Sequence, residues 1–122
     1  MQLPPADADL DALEGLAWYI QRRPVFTGGN EVRLLRGGEE LFPTLRDRID
    51  AAQHSVWMAF YIISPLGQSG WVLQALMRAA RRGVSVHLVV DGLGSRDAPA
   101  SLWEDLTQAG VKLATYRPTR GL

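Results

Sequence analysis

The sequence contains no cysteine, a single lysine and no long apolar segment. The absence of cysteine excludes disulfide bonds, thiolate catalysis and cysteine metal sites, although it says little about the cellular compartment. Twelve of the 13 basic residues are arginine, so any chemistry that needs a lysine depends on Lys112. The longest apolar run, residues 56–63, has eight residues. A membrane-spanning helix needs about 20, so any membrane role is expected to be peripheral.

An excess of one charge sign is also lacking, since 13 basic residues balance 13 acidic ones. Polyanion-binding proteins are usually basic, so nucleic acid is an unlikely main partner. Four acidic residues lie within the first 14 positions, which leaves a surplus of four positive charges in the rest of the chain. The N-terminus is acidic where a signal peptide is positive. We therefore expect a location that is cytoplasmic or peripheral to a membrane.

The 122 residues suffice for one compact domain, and 47% apolar with 21% charged residues is the composition of a globular protein. Residues 7–22 carry apolar residues at helical spacing and predict a helix that ends before Pro24. Gly28 and Gly29 then indicate a boundary. We interpret residues 1–27 as an N-terminal helical appendage and residues 28–122 as the main body.

Strand-like and helix-like segments alternate along the main body. The predicted strands are Glu31–Arg36, Val56–Ile63, Val84–Asp91 and Val111–Tyr116. Between them lie helices with apolar stripes, in which Pro43 is expected in a first turn, Ser69 is expected as an N-cap, and Ser101 with Glu104 has capping-box spacing. Gly83 and Gly110 are expected to end the second and third of these helices.

This β-α-β-α-β-α-β order with short connections predicts an α/β fold with a largely parallel sheet and helices on both faces. Residues 56–63 have no polar alternation and predict a central strand covered on both faces. The final residues, 117–122, are typical of a loop that leaves a strand. An α/β domain rarely stops there, so the domain is expected to be incomplete.

Ligands of open parallel sheets bind beyond the carboxyl ends of the strands. Two such strand exits are present, residues 63–67 and residues 91–95. In the second, Asp91 ends a strand, and two glycines followed by Ser95 would allow a ligand to approach the backbone. The same residues are equally compatible with a simple turn, because Gly-x-Gly alone is weak evidence of phosphate binding.

The remaining candidate residues favour structural roles. His87 lies inside a strand and His54 at a strand start, and neither has partners at metal-ligand spacing. The arginines at the end of the second helix suit its dipole and could equally bind phosphate; they are Arg78, Arg81 and Arg82. The four tryptophans are dispersed over four elements and are predicted to be core residues rather than a stacking platform; they are Trp18, Trp57, Trp71 and Trp103.

Several motifs, taken in order, resemble cardiolipin synthases of the phospholipase D superfamily over about residues 28–122. The resemblance rests on Gly29–Leu35, Gly38–Pro43, Ala51–Val56, Tyr61–Ile63, Ala79–Val86, Asp91–Ser95 and Ala109–Leu113. It implies a phospholipase D-like lobe. It also implies exchange of phosphatidyl groups through a covalent phosphohistidine, with a lysine that stabilises phosphoryl charge and without a metal or other cofactor.

The family's His-x-Lys-x-x-x-x-Asp motif is absent from this chain, since Gly110 stands two positions before Lys112. In the family, the first motif follows the strand that corresponds to Val111–Tyr116. Ala59 also stands where members often carry a glutamate, and residues 64–69 lack the acidic residue often found there. The resemblance therefore implies that this chain holds no catalytic residue.

We interpret the chain as the N-terminal portion of a cardiolipin synthase-like phosphatidyltransferase that is inactive alone. Tyr61, Asp91 and Ser95 are expected to line a substrate pocket. The substrate would be a phospholipid bound by the complete protein, and activity would need the missing C-terminal part or a second copy. Two alternatives remain: a non-catalytic α/β binding or interaction module, and a fragment of a phospholipase D-type nuclease.

Overall fold

A computed structural model describes residues 26–119 of the chain. In chain order its elements are helix α1 (Gly37–Ala51), strand β1 (Ser55–Phe60), helix α2 (Gly67–Arg81), strand β2 (Ser85–Asp91), helix α3 (Ala100–Gln108) and strand β3 (Lys112–Tyr116). The predicted helix over residues 7–22 lies outside the described residues. The chain divides into two compact units, Met1–Arg33 and Leu34–Leu122, and all six elements belong to the second.

The three strands form a parallel sheet in the order β1-β2-β3. The α/β class and the parallel sheet are therefore confirmed. Two details of the prediction are wrong. Residues 31–36 form no strand, and Val32 and Leu34 are almost fully exposed because nothing in the described residues pairs with this segment. The central strand is β2, whereas β1 lies at an edge of the described sheet.

The core lies between one face of the sheet and the helices. Val86 and Leu88 of β2 are completely buried there, as are Val72 and Leu76 of α2. Helix α2 packs against β2 and α1, and α3 packs against β3 and α2. Burial of these apolar side chains is the main stabilising contribution to the fold.

The opposite face, here called the open face, carries Trp57, His87 and Val89. Trp57 is 72% exposed and Val89 is 39% exposed. The prediction places helices on both faces of the sheet. Within residues 26–119, helices cover one face only. None of the helices in this range is long and apolar enough to span a membrane.

The helix ends follow the sequence only in part. Gly83 and Gly110 have φ angles of 92° and 99°, a left-handed conformation that glycine adopts without strain, and they end α2 and α3 as predicted. The expected capping box of α3 is wrong, because the helix begins at Ala100 and no side chain caps it.

The starts of α1 and α2 also differ from the prediction. Pro43 lies inside α1 rather than in its first turn, since that helix begins six residues earlier. Helix α2 begins at Gly67, so Ser69 is not its N-cap. The Ser69 hydroxyl instead bonds the carbonyl oxygens of Ser64 and Leu66, each at 2.9 Å. Helix starts are thus less predictable here than helix ends.

Candidate functional site

The carboxyl ends of all three strands meet at one edge of the sheet, because the strands are parallel. The segment that follows β2, residues 91–95, lies between the exits of the other two strands. This edge is where a parallel α/β sheet presents ligand-binding residues. The candidate site is therefore built from the loop after β2 and its neighbours.

Asp91 uses its carboxylate to shape this loop. Its Oδ1 accepts hydrogen bonds from the backbone amides of Leu93 and Gly94, both at 2.9 Å. The amide of Ser95 donates to the backbone carbonyl of Asp91 at 3.0 Å. An aspartate that bonds the amides two and three residues ahead stabilises a tight turn. The structure thus places Asp91 in a turn, one of the two interpretations of these residues.

The two glycines of the loop lie against the backbone of both neighbouring strand exits. A Cβ atom on Gly92 would overlap the carbonyl oxygen of Arg117, and one on Gly94 would overlap the carbonyl oxygen of Tyr61. The sequence analysis expected a ligand to approach the backbone at these glycines. In the structure, it is the chain's own backbone that approaches them. Only glycine leaves room for it.

Ser95 is a buried residue beside a cavity at this edge. The residue is 5% exposed, and its buried Oγ has no hydrogen-bond partner in the described part of the chain. The cavity has a volume of about 230 Å³. Its lining residues are Val90, Asp91, Gly92, Ser95, Arg96, Trp103, Thr115, Pro118 and Thr119.

Tyr61 lies apart from this cavity. It is 64% exposed and borders a separate, apolar hollow together with Ala59, Val89 and Tyr116. Asp91 borders both the hollow and the cavity. The structure therefore brings Asp91 and Ser95 together and places Tyr61 on the far side of the Asp91 loop.

Sequence reasoning missed six of the nine lining residues of the cavity, among them Arg96, Trp103 and Thr115. Arg96 directly follows the predicted site and could have been included on that ground. Thr115 reaches the cavity because it pairs with Val90 in the parallel register. That register is not encoded in any local motif, so no local signal pointed to Thr115.

Near the amino end of β2, His87 makes the kind of hydrogen bond that is expected of a structural histidine. Its Nε2 lies 3.1 Å from Ser85 Oγ, and its ring stacks on Trp57 with centroids 3.7 Å apart. The prediction that the tryptophans are core residues is wrong for Trp57 and Trp71, which are 72% and 44% exposed. Trp18 lies outside the described residues.

Two of the three arginines near the end of α2, Arg78 and Arg82, are engaged with α1 and its C-cap. Arg78 donates to both carboxylate oxygens of Asp50, at 3.1 and 2.9 Å, and this bonding holds the pKa of Asp50 below its usual value. Arg82 Nη2 donates to the carbonyl oxygens of Ile49 and Ala52, at 3.2 and 3.3 Å. Arg78 and Arg82 therefore connect two helices rather than form a free phosphate site. Within residues 26–119, no group of three acidic or histidine side chains could hold a metal ion.

Comparison with known proteins places this fold in a family. The sequence profile described as "Cardiolipin synthase, PLD-like domain" matches residues 45–121. Cardiolipin synthase A of Erwinia tasmaniensis is 37% identical over 109 residues, which are 87% of this chain and 22% of the relative. Cardiolipin synthase A of Cronobacter sakazakii is 35% identical over 88% of this chain and 23% of the relative.

Cardiolipin synthase B of Salmonella typhi is 32% identical over 74% of this chain and 22% of its own length. The chain thus spans less than a quarter of the curated relatives that it matches. The profile match covers well over half of the chain, including every strand, α2, α3 and the Asp91 loop. The chain therefore belongs to the cardiolipin synthase family of phospholipase D-like domains.

Proposed function

We propose that the chain forms the first part of a phosphatidyltransferase lobe and provides a wall of its substrate pocket, with no catalytic residue of its own. The observation that carries the proposal is the meeting of three strand exits at one edge, with the Asp91 loop held between the other two. The family membership supplies the type of reaction. The chain's only lysine, Lys112, lies at the opposite, amino end of β3.

In this proposal, Tyr61, Asp91 and Ser95 contribute by position and not by bond making. The Asp91 carboxylate fixes the loop by accepting hydrogen bonds from two backbone amides. The loop in turn places Ser95 beside the cavity. Tyr61 offers an exposed aromatic ring beside the apolar hollow. A cavity lined by both polar and apolar residues and an apolar hollow on either side of one loop suit a substrate with a polar head and apolar chains.

The covalent step would belong to a His-x-Lys-x-x-x-x-Asp motif in polypeptide outside this sequence. That polypeptide would be joined either to the same molecule or to a second copy that pairs with it. There a histidine would attack the phosphorus, a lysine would stabilise the phosphoryl charge, and a second histidine would protonate the leaving alkoxide. This chemistry needs neither a metal nor another cofactor. We place the protein in the cytoplasm or at a membrane surface, and we retain residues 1–27 as an appendage to the lobe.

The test is an assay of the purified 122-residue chain with phosphatidylglycerol vesicles, with Erwinia tasmaniensis cardiolipin synthase A assayed in parallel. We expect no cardiolipin from the chain above the protein-free rate and clear formation from the relative. Turnover by the chain that disappears in His54→Ala or His87→Ala would overturn the proposal. DNA affinity that falls steeply with salt would favour the nuclease alternative.

A further inference from the structure

The open face of the sheet is organised in three rows of side chains that cross the strands. Every second residue of a strand points to the same face, and the parallel register sets these residues side by side. The rows are Trp57, His87 and Lys112; Ala59, Val89 and Ala114; and Tyr61, Asp91 and Tyr116. The first row is thus aromatic and basic, the middle row is small and apolar, and the third row carries a carboxylate between two tyrosines.

Much of this face is apolar and exposed within the described structure. Trp57, Tyr61 and Tyr116 are 72%, 64% and 57% exposed. The apolar hollow described above is bordered by residues of the middle and third rows and has a volume of about 370 Å³. A contiguous exposed apolar surface of this kind marks an interaction site.

The three rows make the open face complementary to itself. A half-turn about an axis that runs along the middle row brings a second copy face to face with the first, with its strands reversed. The first row of each copy then lies opposite the third row of the other, and the middle row lies opposite itself. The match holds on all three strands, because the outer rows are each two residues, or about 6.6 Å, from the middle row. Two-fold pairing of one surface with itself is the commonest symmetry among soluble oligomers.

The groups that this half-turn brings together are suited to each other. Trp57 would meet the Tyr61 of the second copy at the rim of its hollow, which is large enough to take an aromatic ring. Asp91 would lie opposite His87 and within reach of the Lys112 ammonium on the adjacent strand. Only Oδ1 of Asp91 is hydrogen-bonded within residues 26–119, which leaves Oδ2 for the second copy. Each of these contacts would occur twice, as the symmetry requires.

We propose that the open face binds a second copy of this chain, with the middle row on the two-fold axis. The seven residues of β2 and three strands spaced about 4.8 Å apart outline roughly 300 Å² before the projecting rings are counted. A standard interface buries about 800 Å² per partner, so the dimer is weak, with a Kd of about 100 µM. The pairing does not depend on the transfer reaction, but it fills the hollow and so competes with the apolar chains that the proposed function places there.

The first measurement is sedimentation equilibrium of the purified 122-residue chain from about 10 µM to about 1 mM, a range that brackets the expected Kd. The average mass should rise from that of one chain toward that of two. A single charge on the axis then tests the geometry. Ala114→Glu and Ala114→Arg each place two like charges opposite each other, and each should weaken pairing at least about tenfold.

Mixing these two variants in equal amounts is the sharpest test, because residue 114 opposes itself across the axis. A carboxylate of one copy then faces a guanidinium of the other, and dimers should return at the wild-type concentration. Gln108→Glu and Gln108→Arg, at an exposed position of α3, are the matched controls and should pair like the wild type. If circular dichroism shows that an Ala114 variant does not fold, the same charges at Ala59, which lies on the same axis, replace it.

A mass that stays at that of one chain up to about 1 mM would overturn the inference and leave the open face to a different partner. Pairing of Ala114→Glu as strong as that of the wild-type chain would overturn it as well. A mixture of the two Ala114 variants that stays monomeric would rule out the two-fold arrangement. The readout is a mass and needs no turnover, so it stands or falls independently of the transfer assay.

Discussion

The two faces of the sheet differ sharply although they share the same strands. On β2, Val86 and Leu88 are completely buried beneath the helices, whereas Val89 on the open face is 39% exposed. On β1, Trp57 of the open face is 72% exposed. The run of apolar residues 56–63 suggests two equivalent faces. The structure shows that an apolar run is compatible with burial of both strand faces but does not determine whether other elements cover both.

The covered face and the open face also use different interactions. Aliphatic side chains fill the covered face, where α2 and α3 exclude water. The open face contains a stacked pair, Trp57 and His87, and the Lys112 ammonium 3.3 Å from Ser85 Oγ. The covered face should therefore dominate the free energy of unfolding, and substitutions on matched residues can test this.

The largest effect is expected from a charge placed on each face in turn. Val86→Asp would bury an uncompensated carboxylate and should cost about 3–5 kcal/mol, enough to unfold a marginally stable chain. Val89→Asp, on the same strand, should cost about 1 kcal/mol, the range of strand propensities. Urea denaturation followed by circular dichroism measures both. Equal losses would show that another part of the protein covers the open face.

A smaller effect is expected from truncating the stacked pair. Trp57→Ala should cost about 0.5–1.5 kcal/mol, the usual contribution of an aromatic pair. Leu88→Ala, on the covered face, should cost about 2–5 kcal/mol because it leaves a cavity. The control is a double-mutant cycle with His87→Ala, which should assign the loss at Trp57 to the stack. A Trp57→Ala loss as large as that of Leu88→Ala would contradict the difference between the faces.

The smallest effect is expected from the ion pair between Asp50 of α1 and Arg78 of α2. Hydrogen bonding by Arg78 lowers the pKa of Asp50, with attraction to Arg78, Arg82 and Arg46 adding to it against the effect of partial burial. A lowered folded-state pKa means that the pair stabilises the protein above the unfolded pKa of about 4. The contribution is lost as pH falls through the folded pKa.

Because both side chains are more than a third exposed, we expect at most about 1 kcal/mol from this pair. Asp50→Asn should remove that contribution at pH 7 and flatten the fall in stability below pH 4. Asp47→Asn, at a more exposed position on the same helix, serves as the control. Thermal melts over this pH range measure the difference, and identical profiles for the two variants would argue against the assignment.

The sequence predicted the order of helices and strands from residue 37 onward, because apolar periodicity and glycine punctuation are local signals. It failed at residues 31–36, where the composition of a strand is present but residues 26–119 offer no partner strand. It also placed β1 at the centre of the sheet, since strand order depends on pairing between distant segments. Pairing is a tertiary property that composition does not carry.

The candidate site shows the same division. Asp91 and Ser95 stood out because they follow a strand in a short motif with two glycines. Trp103 and Thr115 did not, because they reach the cavity from α3 and β3 through packing and register. The reason why glycine is required at positions 92 and 94 was also not predictable from local sequence. The atoms that exclude a side chain there belong to Tyr61 and Arg117, which are distant in the chain.

These two contacts make the Asp91 loop a mechanical link across the sheet. Gly92 rests on the chain leaving β3, and Gly94 rests on the chain leaving β1. A displacement of either outer strand would push directly on the backbone beside Ser95. The shape of the cavity therefore depends on the positions of all three strand exits.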